Sequence, residues 1–309
     1  MYNIKIVQNN ILLENYKKND FSGIFIVVLS SICFAVVPSS AKIALDNGVS
    51  LLVLLFSRCL IGLILLCPVI LLKKQKIIYF DIIFIKLIFI SFVSVSLIAV
   101  TYHAIEFLNV ALVLMILYLF PLGIAIITYL SKEEIFQPIQ WFCILFIIFG
   151  IGLIIIDGSF EGNIYGFSIS ILGLLLMIVF IYFSSKLADL TGSAIMNFHI
   201  NLWSSLLLGF IIYATDIVVK FPVNSKGWLA IFSNGFFYVL SYFLFYVGSQ
   251  KIGITRTSVL ATLEPVFAAV FALILLKQFL NIIETLGFVI IILSIFFFER
   301  FKIHKKTNI

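Results

Sequence analysis

The chain has 309 residues, of which 63% are hydrophobic and 11% are charged, and its formal net charge at pH 7 is +6. A soluble domain of this size cannot cover so much apolar surface, because ordinary soluble domains carry about 25% charged residues. The mean hydropathy of +1.25 therefore excludes a soluble globular protein and predicts an integral membrane protein in contact with the lipid bilayer.

Ten apolar runs follow one another along the chain, each roughly 20 residues long, which is enough to cross a hydrocarbon core of about 30 Å. They do not alternate apolar and polar residues, so they predict helices rather than the strands of a barrel. The fold class is therefore all-α integral membrane. The predicted spans are 22–44, 50–72, 81–102, 109–130, 137–156, 164–185, 193–214, 227–248, 255–276 and 281–299.

The distribution of basic residues predicts the orientation. With the first residue inside, fourteen of the twenty basic residues fall in cytoplasmic segments, including the lysine-rich loop 73–76, and four fall outside. Cytoplasmic loops carry such an excess of lysine and arginine. The charge thus predicts a multi-pass protein of the cell (inner) membrane with cytoplasmic tails at 1–20 and 300–309, and it requires no nucleic-acid partner.

The sequence also repeats itself at an offset of 144 residues without a gap, which indicates an internal duplication. Each repeat then holds five predicted spans, over residues 21–156 and 164–299. Because five is odd, the second repeat enters the membrane from the opposite side, and inverted repeats of this kind place a substrate site between the halves. The identical pairs include Ser40 and Ser184, Lys42 and Lys186, Ala44 and Ala188, Tyr102 and Tyr246, Pro121 and Pro265, and Ala125 and Ala269.

Two stretches carry a resemblance to a known family. The stretch YVGSQKIGITRTSVLATLEPVFAAVFALILL (246–276) resembles the C-terminal repeat of EamA-type carriers in the drug/metabolite transporter superfamily, and YHAIEFLNVALVLMILYLFPLGIAII (102–127) echoes it in the first half. The resemblance covers essentially all of 21–300, and Lys42 and Arg58 resemble basic positions of that family. It implies a secondary transporter that moves an amino acid or a related amphipathic solute by alternating access, for export or exchange.

Glu264 is a carboxylate about nine residues into its predicted span, near the middle of the membrane at 1.5 Å per residue. Because an ionised side chain is costly in lipid, we expect it to face a cavity or a neighbouring helix. It is either a carboxylate that binds substrate or a proton in the pathway, or a structural side chain that hydrogen-bonds across helices. Its counterpart in the first repeat is Phe120, so the two repeats are expected to line one cavity unequally.

Prolines lie inside several predicted spans, and three of them, Pro38, Pro121 and Pro265, are the candidate helix kinks. Proline removes a backbone donor and clashes with the preceding turn, so each is expected to kink its helix. A kink at Pro265 would also free a carbonyl group near the depth of Glu264.

Arg58 lies about eight residues into the second span, where an arginine costs roughly 2.5–3.5 kcal/mol on insertion scales. We therefore expect it to face the bundle interior, where it could bind a substrate carboxylate or phosphate through paired hydrogen bonds. A structural pairing, or a side chain that reaches toward the outer surface, stays open. Lys42, at the end of the first span, could neutralise an anionic group or could snorkel to the surface.

The seventh span carries two polar pairs at a spacing of four residues. Asn197 and Asn201 share one face, and such a stripe needs partners inside the bundle. His199 and Trp203 form the second pair. His199 could titrate near neutrality and serve in coupling, or it could be a hydrogen-bonded packing residue.

The eighth span carries tyrosines at a spacing of four residues, Tyr238, Tyr242 and Tyr246. Aromatic faces attract cations, so the stripe could form a wall for an amphipathic or cationic substrate. The same spacing is common in packing and at membrane interfaces. Substrate-binding and packing interpretations both stay open for these rings.

The sequence predicts no cofactor and no metal, since its four cysteines lack metal-ligand spacing and no glycine-rich phosphate loop is present. Transport would then follow a solute gradient, exchange with a counter-solute, or protons. A non-transporting membrane sensor or scaffold is an alternative. An intramembrane enzyme is disfavoured because Glu264 has no second acid at its depth, and a channel because no ring of like charges is present. The oligomeric state stays open.

Overall fold

The structure, a computed structural model, describes residues 2–72, 82–108, 110–155, 164–215, 219–276, 282–301 and 304–305. Within these ranges the chain forms twelve helices and one pair of two-residue strands. The helices are α1 (Tyr2–Asp46), α2 (Leu51–Leu72), α3 (Ile82–Ile105), α4 (Val110–Leu117), α5 (Phe120–Leu130), α6 (Pro138–Ile155), α7 (Ile164–Thr191), α8 (Ser193–Ala214), α9 (Ser225–Ile252), α10 (Ile254–Ala261), α11 (Glu264–Leu276) and α12 (Ile282–Arg300). The strands are β1 (Glu134–Ile135) and β2 (His304–Lys305).

The prediction of a helical membrane protein is confirmed. Large apolar side chains such as Phe89, Phe142 and Phe210 are exposed on the outside of the bundle, where a soluble protein would place charges. In the described ranges, seven segments are long and apolar enough to cross a membrane. They are Asp20–Asp46, Leu51–Leu72, Ile82–Ile105, Leu112–Leu130, Ile164–Thr191, Ser193–Ala214 and Ser225–Ile252.

The structure departs from the predicted spans in three places. The fourth and ninth spans are each broken into two helices, α4 with α5 and α10 with α11. Helix α1 begins at Tyr2, inside the segment predicted to be a polar tail. Strand β1 pairs antiparallel with β2, which ties the C-terminal segment to the loop after α5, and the sequence analysis did not predict these strands. The lysine-rich loop 73–76 lies outside the described residues.

The 144-residue repeat of the sequence is also a repeat of the structure. Helices α10, α11 and α12 begin exactly 144 residues after α4, α5 and α6. The turns that follow α1 and α7 contain Gly48 and Gly192, also 144 apart, with φ angles of 86° and 93°. Residues with a Cβ rarely adopt such angles. Two stretches that share so little side-chain identity therefore keep the same backbone breaks and turns.

The helices of one half pack mainly on helices of the other half. Helix α1 runs along α9, where the Ser30 hydroxyl donates to the Ser241 carbonyl at 2.8 Å, and α3 runs along α7 in the equivalent way. Helices α2 and α8 pair with each other, as do α6 and α12. A site shared by the two halves would therefore lie in the core between them.

Gly62 of α2 marks the closest approach of α2 to α8 and α9. A Cβ at this position would lie 2.6 Å from the side chain of Asn201 and 2.7 Å from that of Val239. Asn201 cannot move aside at no cost, because its amide nitrogen donates to the carbonyl of Asn197 at 2.8 Å and to its side-chain oxygen at 2.9 Å. The glycine thus allows three helices to meet around a fixed pair of amides.

We expect Gly62→Ala to destabilise the protein by about 1–3 kcal/mol, the usual cost of overpacking a fixed core. Gly152→Ala in α6 is the matched control, because a Cβ there meets only Met115 at an ordinary 3.5 Å. Denaturant unfolding of both variants in mixed micelles measures the difference. Equal stability of the two variants would contradict the tight α2–α8 contact.

Candidate functional site

Two helix breaks, one in each repeat, lie at equivalent positions. In the first, the N–H group of Leu119 donates to the carbonyl of Ile116 at 3.1 Å, and in the second Leu263 donates to Leu260 at 3.1 Å. These bonds reach back three residues instead of four, so the α-helix ends there. The sequence predicted a kink within one helix at each site; the structure shows one helix ending and another beginning.

Pro121 and Pro265 follow these breaks as the second residues of α5 and α11. The first turn of a helix has no intrahelical acceptor for its N–H groups, so a proline costs nothing there. Both prolines therefore start the second helix rather than bend the first. Pro38, by contrast, lies inside the continuous helix α1, as predicted.

A cavity of about 230 Å³ lies where the two breaks meet. The first residues of α5 and α11, Phe120 and Glu264, both line it, together with side chains of α1, α4, α7 and α9. Equivalent positions of the two repeats thus contribute a phenylalanine and a glutamate to one space, so the two repeats line it unequally. The aromatic side chains of the lining are Phe34, Tyr118, Phe120, Tyr238, Tyr242 and Phe245.

A residue of the first break lies beside the Glu264 carboxylate. It is Tyr118, which lines the same cavity and whose hydroxyl group is close enough to interact with this carboxylate. Glu264 is also the first residue of α11, where the N-terminal end of the helix dipole favours negative charge. Each half thus contributes to one site, the acid from the second repeat and the neighbouring tyrosine from the first.

Arg58 lies directly behind one wall of the cavity. Its side chain is 91% buried, and the central carbon of its guanidinium group lies 3.8 Å from the ring centroid of Tyr238. Tyr238 lines the cavity and Arg58 does not. In the part of the chain that the structure describes, the Nε atom of Arg58 has no hydrogen-bond partner, and the contact of the guanidinium group with the Tyr238 ring is a cation–π interaction.

The ring of Tyr242 is central to the aromatic wall. It makes edge contacts with Phe34, Tyr238 and Phe180, with centroid distances of 4.8, 4.9 and 5.8 Å. Aromatic pairs prefer this edge-to-face geometry. The wall is therefore a connected group of rings, which fixes the ring of Tyr242 against the cavity.

A second cavity, of about 630 Å³, lies nearer the end of the bundle where α10 begins. Its lining is polar and includes Lys132, Glu133, Lys186 and Asp189. Glu133 accepts hydrogen bonds from the Lys186 ammonium at 2.6 Å and from the Tyr182 hydroxyl at 2.7 Å. We call this space the vestibule. Its charged walls suit water and polar solutes.

The cavity and the vestibule have no lining residue in common. Along α5, α7, α9 and α10, the positions between the two linings carry side chains with an exposure of 0%, and we call these side chains the closed layer. Two of its hydroxyl groups, on Thr128 and Thr255, are 3.1 Å apart and hydrogen-bonded. The members of the closed layer are Thr128, Ser184, Tyr246, Thr255 and Ser258.

The comparison with protein families decides the identity of this architecture. The model of the EamA-like transporter family matches residues 21–156 and 164–300, which together make up most of the chain. The chain belongs to the EamA-like transporter family. The two matched stretches are the two repeats of the structure, so the family's transporter assignment applies to both halves of the bundle.

Solved structures share the architecture of this EamA-like protein. One of them, described as a crystal structure of a protein, has a TM-score of 0.78 to it over 89% of this chain and 96% of its own, at 14% sequence identity. An identity this low shows a shared fold alone. No curated protein matches the EamA-like protein by sequence.

The structure brings four of the predicted site residues to the cavity of the EamA-like protein, Pro38, Tyr238, Tyr242 and Glu264, and places Arg58 behind it. Lys42 lies away from the cavity, exposed one turn before the end of α1. Its role in binding stays a prediction that the geometry does not favour.

The predicted residues of the seventh span lie on α8, outside the cavity lining. The Asn197 amide donates to the Val239 carbonyl at 2.8 Å, and Asn201 donates to Asn197, so these amides tie α8 to α9. His199 and Trp203 face α3, where the backbone carbonyl of His199 accepts from Ser91 at 3.2 Å and the Trp203 ring meets Phe84 at 5.7 Å. The polar stripe is inside the bundle, as predicted, and its observed contacts are between helices.

Sequence reasoning missed Tyr118, the residue beside Glu264. A signal was present: Tyr118 lies three residues before Pro121, and Thr262 lies at the equivalent position three residues before Pro265. A twofold axis between the repeats would bring the residues around one proline close to those around the other, and Glu264 directly precedes Pro265. The pair of Lys186 with Glu133 was also missed, although Lys186 was noted as the counterpart of Lys42.

Proposed function

We propose that this EamA-like protein is a secondary transporter that moves a small organic metabolite, an amino acid or a related amphipathic solute, across the cell (inner) membrane by alternating access. One observation carries the proposal: a cavity built from both repeats is separated from a charged vestibule by a single closed layer. A carrier needs a site that one end can reach while the other end is shut. The family assignment favours the same reading over a sensor, a scaffold or an enzyme.

The proposed topology has ten crossings in two inverted repeats of five, with both termini in the cytoplasm. In this topology α4 with α5 forms one crossing and α10 with α11 forms another. Antiparallel contacts support the inversion, since the α2–α8 pairs Phe56 with Gly209 and Gly62 with Asn201 run in opposite chain directions. Broken helices near the membrane midplane are typical of transporter sites. The vestibule then opens to the cytoplasm, and the closed layer is the inner gate.

The proposed cycle opens the closed layer and shuts the cavity on its other side. Opening requires that the hydroxyl pair of Thr128 and Thr255 separates and that α5 moves away from α10. The Glu133–Lys186 pair joins the loop after α5 to α7 on the vestibule side, so it would rearrange in the same step. Energy would come from the solute gradient, from a counter-solute, or from protons that bind Glu264.

Solute counterflow in liposomes tests the proposal. Purified full-length protein is reconstituted with an unlabelled solute inside, and uptake of the same solute in labelled form is followed across amino acids, amines and related amphiphiles. We expect transient accumulation of at least one solute class above protein-free liposomes. If folded protein binds a solute, as shown by raised thermal stability, yet exchanges none of them, the proposal is wrong and a sensor takes its place.

A further inference from the structure

The cavity is lined by one acidic side chain and by no basic one among the described residues. Among the described residues that line it, Glu264 is the sole carboxylate and there is no lysine, arginine or histidine. The side chain is half-buried and lines the cavity next to Tyr118. A carboxylate has about four lone-pair sites, so a neighbouring hydroxyl group leaves most of its acceptor capacity for a ligand in the cavity.

The remaining walls are suited to a positively charged group with apolar substituents. Tyr242 and Phe34 meet edge to face beside the cavity, and aromatic rings attract ammonium groups through their negative faces. Apart from Glu264, the non-aromatic side chains of the lining are apolar, such as Leu114 and Met177. An aromatic cage with one acid is the arrangement that proteins use for quaternary and alkylated ammonium ligands.

We propose that the cavity binds a small organic cation by its ammonium group, between the Glu264 carboxylate and the rings of Tyr242 and Tyr118. No carboxylate on the solute is needed. The inference rests on the proposed function in so far as the cavity is the transport site, and it narrows the solute class from amphipathic metabolites to organic amines. The volume of about 230 Å³ equals roughly eight waters at about 30 Å³ each, which is enough for a solute the size of choline.

The alternative ligand is a zwitterion whose carboxylate binds Arg58. Tyr238 stands against it, because its ring stacks on the guanidinium group at 3.8 Å and forms the cavity wall in front of it. A solute carboxylate reaches Arg58 only if that ring swings away and gives up the cation–π contact. Arg58 instead fixes the position of Tyr238. A bound cation would therefore contact the faces of the other aromatic rings that line the cavity.

Three matched ligands test the proposal by calorimetry on the full-length protein in detergent. Choline carries the cation, 3,3-dimethylbutan-1-ol is its neutral isostere, and betaine adds a carboxylate to the same trimethylammonium group. We expect choline to bind at least tenfold more tightly than the neutral alcohol and no more weakly than betaine. Equal binding of choline and the alcohol would overturn the proposal. Betaine binding tenfold more tightly than choline would show instead that the cavity binds zwitterions.

Two substitutions identify the site without depending on transport. Tyr242→Leu removes the ring but keeps an apolar side chain, and we expect at least a tenfold loss of choline affinity. Tyr213→Leu is the control, because Tyr213 is 90% exposed at the end of α8, and its affinity should not change. If Tyr242→Leu keeps its affinity while its thermal stability shows intact folding, the cage is not the site.

The outcomes separate this inference from the proposed function. Choline binding without counterflow of any solute keeps the cation site and contradicts the transporter. Counterflow of a solute that has no ammonium group, with no preference for choline over its neutral isostere, keeps the transporter and overturns the cation site. Tetramethylammonium and isobutylamine serve as second and third cations, so that rejection of choline by shape alone is recognised.

Discussion

Replacement of Glu264 by glutamine is expected to lower solute counterflow at least tenfold while the protein stays folded. The amide keeps the shape of the side chain and its place beside Tyr118, so packing at the two breaks is retained. The charge is lost. A hydrogen bond to a charged group contributes about 1.5–3 kcal/mol against 0.5–1.5 for a neutral one, and 1.4 kcal/mol corresponds to a factor of ten in rate.

Initial rates of counterflow at equal protein density measure this effect, with thermal unfolding as the check on folding. Glu106→Gln is the matched control, because Glu106 lies outside the cavity, exposed, and pairs with His103 at 3.0 Å. That variant should keep the wild-type rate. Flux through Glu264→Gln at the wild-type level would show that the carboxylate is structural and would remove the cavity from the pathway.

Much of the fold could be predicted because a helix that crosses lipid needs about 20 apolar residues, so the hydropathy of the sequence locates the helices. The offset of 144 residues went further than the spans, since Gly48 and Gly192, which mark equivalent turns, obey it in the structure. The breaks could not be predicted as breaks. A proline at the second position of a new helix and a proline inside a kinked helix have the same sequence neighbourhood, and only the backbone bonds of Leu119 and Leu263 distinguish them.

The site was predicted less completely, and the reason is geometric. Helical spacing predicts which residues share a face, but it does not tell which of several buried faces borders the cavity. Asn197 and Asn201 were predicted correctly to lie inside the bundle. In the structure Asn197 binds the backbone of α9 and Asn201 binds Asn197, and neither residue lines the cavity. Tyr118 was missed because it lies 146 positions before Glu264 in the chain. Only the relation between the two repeats brings them together.

Arg256 is expected to be the most sensitive ionic position outside the cavity. It lies on α10 and pairs with Asp20 of α1 at 2.6 Å and with Glu299 of α12, so it ties three helices together. Its side chain is 15% exposed, as is that of Glu299. Arg256→Ala leaves two carboxylates partly buried and unpaired, and we expect a loss of roughly 2–3 kcal/mol, between the values for surface and fully buried pairs.

Denaturant unfolding in mixed micelles measures this loss, and two further variants show its cause. Arg256→Lys keeps the charge but cannot bind Glu299 through both Nε and Nη2, so it should fall between wild type and alanine. Adding Glu299→Gln to Arg256→Ala removes one of the stranded carboxylates and should recover part of the loss. If the alanine variant unfolds like wild type, the ion pairs add no stability. Since α10 leads from Arg256 to the break before Glu264, a looser anchor should also lower choline affinity without any change in the cage.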